Sequence, residues 1–377
     1  GERFDGHDFI PAAYQAAAAF AIAQKTVSDT VSPQRPCLVV PDTVAALQQL
    51  ASAYRDALRE HGITVIAVVG SNGKTTTRHL IHTALTRRLR GTQSPRSFNN
   101  HIGVPLTLLG AATDDEFLVL EIGTNHPGEI DTLSRLARPE AVVITSIGAE
   151  HLEALGDLEG VTREEASVLD HLTGAKRVFI STQAIEHFQR CNIALPDHAE
   201  VYDQGRIAAA TPTEVGQRIA LPTGETLTLP LPGAHNVANA QAAAAVARWM
   251  GLREVEAWQA LQSAEAAPMR MQRITLPTAG EPVSILNDAY NANLDSMTAA
   301  LETLASFPNS RRRVAILGDM LELGQQSAAM HRELGRRITA DRVIVIGRFA
   351  PHVAQGMAAR GGDAPVEVYG AWSDELG

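Results

Sequence analysis

The chain has 377 residues, of which 45% are hydrophobic and 20% are charged, with a formal net charge of -10. This composition is typical of a globular protein of two or three domains, and the negative charge argues against a general binder of nucleic acid or acidic membranes. The two cysteines, Cys37 and Cys191, lie far apart and lack metal-ligand spacing, which argues against a disulfide framework or a zinc site. The sequence shows neither an apolar run of membrane-spanning length nor a signal peptide, so we expect a cytoplasmic protein.

The first 61 residues have the pattern of an incomplete α/β domain. An alanine-rich stretch at residues 12–23 predicts a helix, residues 37–40 predict a strand between prolines, and residues 43–60 predict a second helix. His61 and Gly62 end that helix, so we place a domain boundary between them. Because the chain begins with Gly1, we expect it to be a fragment of a longer protein.

The next segment has the features of a phosphate-binding loop. An apolar run at residues 63–69 leads into Gly-Ser-Asn-Gly-Lys-Thr-Thr at residues 70–76, and a helical pattern follows. The glycines let backbone N–H groups and the helix N-terminus face an anion, Lys74 supplies a charge for the outer phosphates, and Thr75 offers a hydroxyl to Mg²⁺. Val68 stands where the full motif has a glycine, so a glycine-rich turn before a surface helix is the alternative. The flanking strand and helix patterns favour a nucleoside-triphosphate site.

Strand and helix patterns alternate through the rest of the central region. Further strands are predicted at residues 117–122, 141–145 and 177–180, with helices between them. This alternation predicts a mostly parallel sheet covered by helices, in which polar residues after the strands converge on one ligand-binding edge. Glu121, Ser146 and His151 lie at or just beyond the carboxyl ends of those strands.

A second alternating region follows a β-rich excursion and a hinge. Residues 195–232 predict short strands, a helix follows to residue 249, and a proline-containing break at residues 268–273 predicts a hinge. Beyond it, strands at residues 283–287, 313–317 and 342–346 alternate with helices at residues 294–307 and 325–340. The predicted fold class is α/β, with domains at residues 1–61, 62–267 and 268–377.

Short motifs along the chain resemble the ATP-dependent Mur ligases of peptidoglycan synthesis. The glycine loop, His151 and Leu-Pro-Gly-Ala-His-Asn-Val-Ala-Asn at residues 231–239 are shared across that family. Further motifs resemble the branch that adds D-alanyl-D-alanine: Phe-Asn-Asn-His at residues 98–101, Asp-Ala-Tyr-Asn-Ala-Asn at residues 288–293 and Gly-Asp-Met-Leu-Glu-Leu-Gly at residues 318–324. The resemblance implies a partial N-terminal α/β domain for a UDP-sugar, a central P-loop domain and a C-terminal Rossmann-like domain that lacks its end.

The resemblance also implies a reaction and its partners. In the family, ATP phosphorylates the terminal carboxylate of UDP-N-acetylmuramoyl-tripeptide, and an amine, here D-alanyl-D-alanine, attacks the acyl phosphate. The products are an amide, ADP and phosphate. ATP, Mg²⁺ and these two substrates are the expected ligands of a monomer. Two alternatives remain: a Mur-type ligase for another amine, such as a diamino acid, and a catalytically weak ATP-binding scaffold.

The resemblance assigns roles residue by residue. Expected catalytic residues are Lys74, Glu121, His151 and Glu165, and expected Mg²⁺ ligands are Thr75, Glu121, His151 and Glu165. Expected nucleotide contacts are Gly70, Ser71, Asn72, Gly73, Lys74, Thr75, Thr76, His235, Asn236, Asn239, Arg270 and Asp288, with Arg273 as the alternative to Arg270. Expected substrate contacts are Arg3, Asp5, His7, Asn99, Asn100, His101, Tyr290, Asn291 and Asn293.

Glu165 is the main departure from the family. Many Mur ligases carry here a lysine carbamylated by CO₂, whose carboxylate helps to bind a second Mg²⁺. Glu165 brings its own, shorter carboxylate, and one interpretation is that it replaces the carbamate. The other is that Glu164 and Glu165 form a solvated acidic helix turn.

Overall fold

The computed structural model describes residues 5–25, 36–278, 280–308, 310, 312–361 and 364–371. Its N-terminal segment contains α1 (Ile10–Gln15), β1 (Ala21–Ala23), β2 (Cys37–Val39) and α2 (Thr43–Glu60). The helix predicted at residues 12–23 is present only as far as Gln15, because the backbone turns at Ala17, with φ of 65°, and β1 pairs in parallel with β2. Strand pairing therefore outweighs the helix propensity of alanine, which amounts to less than about 1 kcal/mol per residue.

The central sheet has six strands, all parallel, in the order β4-β5-β3-β6-β7-β8. Its elements in chain order are β3 (Thr64–Val69), α3 (Lys74–Leu85), β4 (Gly91–Gln93), α4 (Gly103–Leu109), β5 (Phe117–Glu121), α5 (Glu129–Ala137), β6 (Ala141–Ile144), α6 (Leu152–Leu155), α7 (Leu158–Ala166), β7 (Arg177–Ile180), α8 (Thr182–Arg190) and β8 (Ala199–Val201). The predicted parallel sheet is thereby confirmed, and β3, which carries the glycine loop, lies at its interior between β5 and β6.

Both faces of the central sheet are buried, which explains the continuous apolar runs of its inner strands. Val65 and Ala67 face a core that includes Leu108 and Ile130 of α4 and α5. Their neighbours in β3 face a second core formed with α3 and a later helix, α9 (Ala234–Trp249). The strand ends that carry the predicted site residues are therefore held between two layers of helices.

Helix α2 packs on the central sheet. Its Leu58 lies in the same buried core as the sheet residues, and its Arg55 is 1% exposed. Arg55 Nε donates to the carbonyl oxygen of Ala137 at 2.8 Å, and its Nη2 contacts Glu140 Oε1 at 2.6 Å. Glu140 Oε2 in turn accepts from the N–H of Val65 at 2.7 Å. This buried chain of polar contacts connects α2 to α5 and β3.

Three antiparallel strands, β9 (Ala209–Thr213), β10 (Gly216–Ala220) and β11 (Thr226–Leu229), form the predicted β-rich excursion. Helices α9 (Ala234–Trp249) and α10 (Glu254–Leu261) follow it. Helix α9 is buried around most of its circumference, as expected for an alanine-rich helix that packs between the sheet and α3.

The C-terminal region, residues 268–371, begins with the antiparallel hairpin β12 (Gln272–Leu276) and β13 (Val283–Asn287). The predicted hinge at residues 268–273 is therefore shorter, because its last two residues already pair in β12. A parallel sheet of order β14-β15-β16 follows, and helices alternate with its strands. The elements in chain order are α11 (Leu294–Ser306), β14 (Val314–Leu317), α12 (Ser327–Arg337), β15 (Arg342–Ile346), α13 (Ala350–Arg360) and β16 (Val366–Tyr369). Met297 and Leu301 of α11 join the buried core of the central sheet. Within the ranges that the structure describes, no helix is long and apolar enough to cross a membrane.

Candidate active site

The glycine loop, residues 70–76, connects the end of β3 to the start of α3 and is held by the segment after β6. Gly70 has φ of 118°, and a Cβ there would lie 2.4 Å from Thr145 Oγ1, so the position requires glycine. The N–H of Ser71 donates to the carbonyl oxygen of Ser146 at 2.8 Å, and the N–H of Asn72 donates to Ser146 Oγ at 2.9 Å. Ser146 therefore positions the loop directly.

Lys74 lies among glutamate side chains, with 14% of its own side chain exposed. Its Nζ donates to the carbonyl oxygens of Gly70 at 2.5 Å and Ser71 at 3.3 Å, and lies 3.8 Å from Glu150 Oε1. Burial alone would lower the pKa of Lys74, but the charges of Glu150, Glu165 and Glu121 outweigh it and raise that pKa. Lys74 is thus a fixed positive charge at the N-terminus of α3, where an anion is also favoured by the helix dipole.

Glu121 is the last residue of β5, and its carboxylate accepts hydrogen bonds from three polar side chains. Its Oε1 accepts from Thr75 Oγ1 at 3.1 Å and from Asn99 Nδ2 at 3.0 Å, and its Oε2 accepts from Arg78 Nε at 3.3 Å. The carboxylate is 1% exposed. The predicted proximity of Thr75 and Glu121 is present, and the register of β3 against β5, which pairs Val68 with Glu121, accounts for it.

Arg78 and Glu150 were not predicted from the sequence. Arg78 is buried beside Glu121 and also donates to Gln93 and to the carbonyl oxygen of Ser94. Its position four residues after Lys74 on one helix face was a usable signal. Glu150 is 5% exposed, its Oε1 has no hydrogen-bond partner, and burial raises its pKa. A glutamate beside His151 on a loop carries no periodicity that would predict such burial.

Glu164 and Glu165 do not form a solvated turn, so that interpretation is wrong. Glu164 accepts from the N–H groups of Gly128 at 2.7 Å and Ile130 at 2.9 Å and thereby caps α5. Glu165 is 0% exposed, and its Oε2 accepts from the N–H of Gly70 at 2.7 Å. Burial is the main cause that raises the pKa of Glu165 to about 8, and its Oε1 has no hydrogen-bond partner. Its carboxylate therefore lies at the base of the loop.

His151 lies at the boundary with the C-terminal region. It precedes α6 with φ of 51°, and its Nδ1 is hydrogen-bonded to Glu322. Over the residues described, no three His, Cys, Asp or Glu side chains come together as a metal-binding group. The predicted ligand set is therefore gathered only in part: Thr75 and Glu121 are in contact, while Glu165 is bonded to the loop backbone and His151 to Glu322.

Asn72 and Asn239 join the loop to two other parts of the chain. Asn293 caps α11 by accepting from the N–H of Ser296, and its Nδ2 donates to Asn72 Oδ1 at 2.8 Å across the boundary. Asn239 Oδ1 accepts from Thr77 Oγ1 at 3.1 Å, and a Cβ on Gly73 would lie 2.7 Å from that same oxygen. Asn236 binds Asn239 and the carbonyl oxygen of Pro232, which makes it a support for Asn239. The preceding residue, His235, has its pKa lowered to about 4 by burial.

Arg270 projects from the C-terminal region onto the central one. Its guanidinium lies 3.9 Å from the ring centroid of Tyr290, and its Nη2 donates to Ser97 Oγ at 3.4 Å. Asp288 accepts from the N–H of Met271 at 2.8 Å, and burial raises its pKa. The alternative residue, Arg273, instead lies over Phe307, at 5.8 Å.

The other predicted substrate residues are not gathered at the loop to the same degree. Asn100 caps α4 through bonds to Ile102 and Gly103, His101 is exposed, and Asn291 bonds the N–H of Ala292. Asp5 and His7 bond each other, and Asp5 also contacts Lys25, whose bond lowers the pKa of Asp5. Arg3 lies outside the described residues.

Two family models match most of the chain. The Mur ligase middle domain matches residues 68–247, and the Mur ligase, glutamate ligase domain matches residues 269–374. The chain belongs to the Mur ligase family. Among related Mur ligases, UDP-N-acetylmuramoyl-tripeptide--D-alanyl-D-alanine ligase of Bacillus subtilis is 36% identical over 94% of this chain and 78% of its own length. The ligase of the same name from Escherichia coli is 34% identical over 92% and 77%.

Solved Mur ligase structures have the same fold. Crystal structure I of MurF from Acinetobacter baumannii superposes with a TM-score of 0.82 at 28% identity, over 98% of this chain and 80% of that one. MurF ligase from Thermotoga maritima in complex with ADP superposes with a TM-score of 0.77 at 27% identity, over 98% and 89%. The predicted Mur ligase architecture is therefore confirmed.

The donor atoms of this Mur ligase fit Mg²⁺. Thr75 and Glu121 offer a hydroxyl and a carboxylate side by side, and Mg²⁺ in phosphate-transfer sites is commonly held by one or two carboxylates together with phosphate oxygens. Two buried carboxylate oxygens, Glu150 Oε1 and Glu165 Oε1, also lack hydrogen-bond partners. Buried, unpartnered carboxylate oxygens are costly unless a cation or a proton satisfies them.

Proposed function

We propose that this Mur ligase joins D-alanyl-D-alanine to UDP-N-acetylmuramoyl-tripeptide at the expense of ATP. The observation that carries the proposal is the meeting of the phosphate loop with the C-terminal region, where Asn293 bonds Asn72 at 2.8 Å. A ligase of this kind needs a triphosphate on one region and an amine on another, and this contact brings the two regions to one place. The curated relatives at 34–36% identity bear the name of that activity.

The residues have distinct roles in the proposal. Lys74 and the N-terminus of α3 bind the outer phosphates of ATP, Arg270 approaches them from the C-terminal region, and Asn239 supports the loop at Gly73. Thr75 and Glu121 would hold Mg²⁺, which would supply positive charge to neutralise the transferred phosphoryl group. Ser71, Asn72 and Thr76 complete the nucleotide contacts of the loop, and Asp288 and His235 those outside it.

The chemistry consists of two displacements. The terminal carboxylate of the tripeptide attacks the γ-phosphorus of ATP, and the bond to ADP breaks, which leaves an acyl phosphate. The amine of D-alanyl-D-alanine then attacks the acyl carbon, phosphate leaves with its bonding electrons, and the nitrogen loses a proton. The protein contributes positioning and charge neutralisation, which place the reacting groups together and stabilise charge in the transition state.

The substrate side of the proposal relies on fewer contacts. Asn99 of the central region, bonded to Glu121, and Tyr290 of the C-terminal region, stacked on Arg270, are the proposed contacts for the tripeptide end and the incoming amine. Asp5 and His7 are proposed to contact the UDP-sugar. We further propose domains at residues 1–61, 62–267 and 268–377, and a monomer that works in the cytoplasm, where ATP and nucleotide-linked precursors are available.

Phosphate release from ATP tests the function. The chain is mixed with Mg²⁺, ATP and UDP-N-acetylmuramoyl-tripeptide, with and without D-alanyl-D-alanine, and a panel of diamino acids serves as the comparison. We expect release only with D-alanyl-D-alanine, together with a product heavier by that dipeptide in mass spectrometry. Release with a diamino acid alone would assign a different amine. ADP binding without any amine-dependent release would favour the scaffold alternative.

A further inference from the structure

Two non-glycine residues with left-handed backbone conformation face each other across the boundary between the central and C-terminal regions. His151 has φ of 51° and Glu322 has φ of 59°. Such conformations cost free energy in residues with a Cβ and persist where surrounding contacts enforce them. Here the two side chains are hydrogen-bonded through His151 Nδ1 and Glu322 Oε2.

The surrounding contacts fix this pair on both sides. The N–H of Glu153 donates to the carbonyl oxygen of Glu322 at 3.1 Å. Leu152 and Leu155 of α6 lie in the same buried core as Met320 and Leu323, which flank Glu322. The segment that carries Glu322 is thus docked on the α6 turn by a backbone bond and by apolar burial, and the His151–Glu322 bond exists only when the two regions are together.

The bond also determines how the His151 ring is presented. Glu322 is 57% exposed in its side chain and meets the ring through a carboxylate oxygen, which accepts hydrogen bonds. His151 Nδ1 is therefore the donor in this bond, and Nε2 is the ring nitrogen that remains to face a ligand. Carboxylates that bind one ring nitrogen in this way orient histidines whose other nitrogen contacts a ligand.

We propose that Glu322 is a positioning residue that fixes the tautomer and orientation of His151 when the C-terminal region docks. The inference rests on the proposed ligase function, in which the loop of Lys74 binds the outer phosphates of ATP. It is linked to the loop through the chain itself, because His151 follows Glu150, whose carboxylate lies 3.8 Å from Lys74 Nζ. Docking of the C-terminal region thereby fixes the orientation of the His151 ring in the central region.

Nitrogen-15 NMR of labelled histidine in the full chain tests the tautomer without turnover. The His151 signals are assigned by their loss in His151→Gln. We expect the hydrogen on Nδ1 in the unchanged chain and in Glu322→Gln, whose amide oxygen still accepts, and a shift toward hydrogen on Nε2 in Glu322→Ala. Glu333→Gln is the control, because Glu333 bonds Arg336 and Arg337 of its own helix. An unchanged tautomer in Glu322→Ala would overturn the proposal.

Kinetics then test whether the orientation matters. We expect Glu322→Ala to lower kcat/KM for phosphate release about 10- to 100-fold, mostly in kcat, as for lost partners of ligating histidines. Glu322→Gln should stay within about threefold of the unchanged chain, which a general loss of structure would not reproduce. A changed tautomer with unchanged kinetics would also overturn the positioning role. If no amine supports release in any variant, the proposed function fails, while the NMR result still decides the histidine geometry.

Discussion

At the scale of single residues, the site is defined by one lysine and the carboxylates around it. Lys74 bonds the carbonyl oxygens of its own loop, and Glu150, Glu165 and Glu121 supply the negative charge that raises its pKa. An arriving phosphate must compete with those groups for the ammonium. The glutamates around Lys74 are therefore expected to determine how strongly the glycine loop attracts an anion.

Glu150→Gln is expected to tighten ADP binding in the absence of Mg²⁺ about three- to tenfold, because it removes the carboxylate that lies 3.8 Å from Lys74 Nζ and so frees the ammonium for phosphate. Titration calorimetry measures the dissociation constant directly. Glu153→Gln is the matched control, since Glu153 is exposed in the adjoining helix α6. Weaker binding by Glu150→Gln would instead indicate that Glu150 helps to bind the ligand.

Glu165→Gln is expected to change the pH dependence of stability. The pKa of Glu165 is about 8 in the folded chain, above its unfolded value of 4.5, so the folded state holds the extra proton between those values. This carboxyl therefore destabilises the fold increasingly as pH rises from about 5 to 8, by about 1.4 kcal/mol for each step of one in pH. Glutamine has no such loss, so the melting temperature of the variant should rise relative to the unchanged chain over that range. A constant difference between the two melting curves would contradict the buried, protonated state.

The residues of the glycine loop are predictable from the sequence, but the glutamates Glu150 and Glu322, which lie outside it, are not. Lys74, Thr75 and Glu121 could be predicted because a glycine motif and strand ends have recognisable local patterns. Glu150 and Glu322 could not, because their contacts join loops that are distant in the chain, such as residues 151 and 322, and no periodicity connects them. The resemblance drew attention to Glu165, yet its burial under Gly70 depends on how α7 packs.

At the scale of elements, the glycine loop depends on a close approach between the ends of β3 and β6. Gly70→Ala is expected to cost more than about 2 kcal/mol of stability and to abolish nucleotide binding, because a Cβ would meet Thr145 Oγ1 at 2.4 Å and φ is 118°. Chemical denaturation and ADP titration measure the two effects. Gly224→Ala separates the causes, since Gly224 has φ of 99° but open space around it. Equal losses in both variants would show that backbone strain alone is responsible.

The elements themselves were predictable where burial and periodicity agree. The inner strands were found because β3, β5 and β6 are apolar on both faces, and the excursion at residues 195–232 was found from its turn residues. The helix predicted at residues 12–23 ends early, at Gln15, because helix propensity is a weak preference even for alanine, and β1 pairs with β2, a partner some sixteen residues away.

At the scale of the whole molecule, the site exists only where two regions meet. Asn293→Ser should keep the cap of α11, since serine also accepts from a helix N–H, but should lose the donor to Asn72. We expect a coupling free energy of about 1 kcal/mol in kcat/KM between this change and Asn72→Ala. A double-mutant cycle with the four proteins measures it. Additive effects would mean that the bond does not contribute to assembly of the site.

The buried bonds of Arg55 have a practical consequence for dividing this protein into recombinant pieces. A piece that starts at residue 62 would remove the guanidinium that bonds Ala137 and Glu140, and would uncover the apolar surface under Leu58. Unpaired buried polar groups and exposed apolar surface both favour aggregation. An expression trial should therefore yield soluble material from residues 36–377 and inclusion bodies from residues 62–377, so that the useful cut lies ahead of α2.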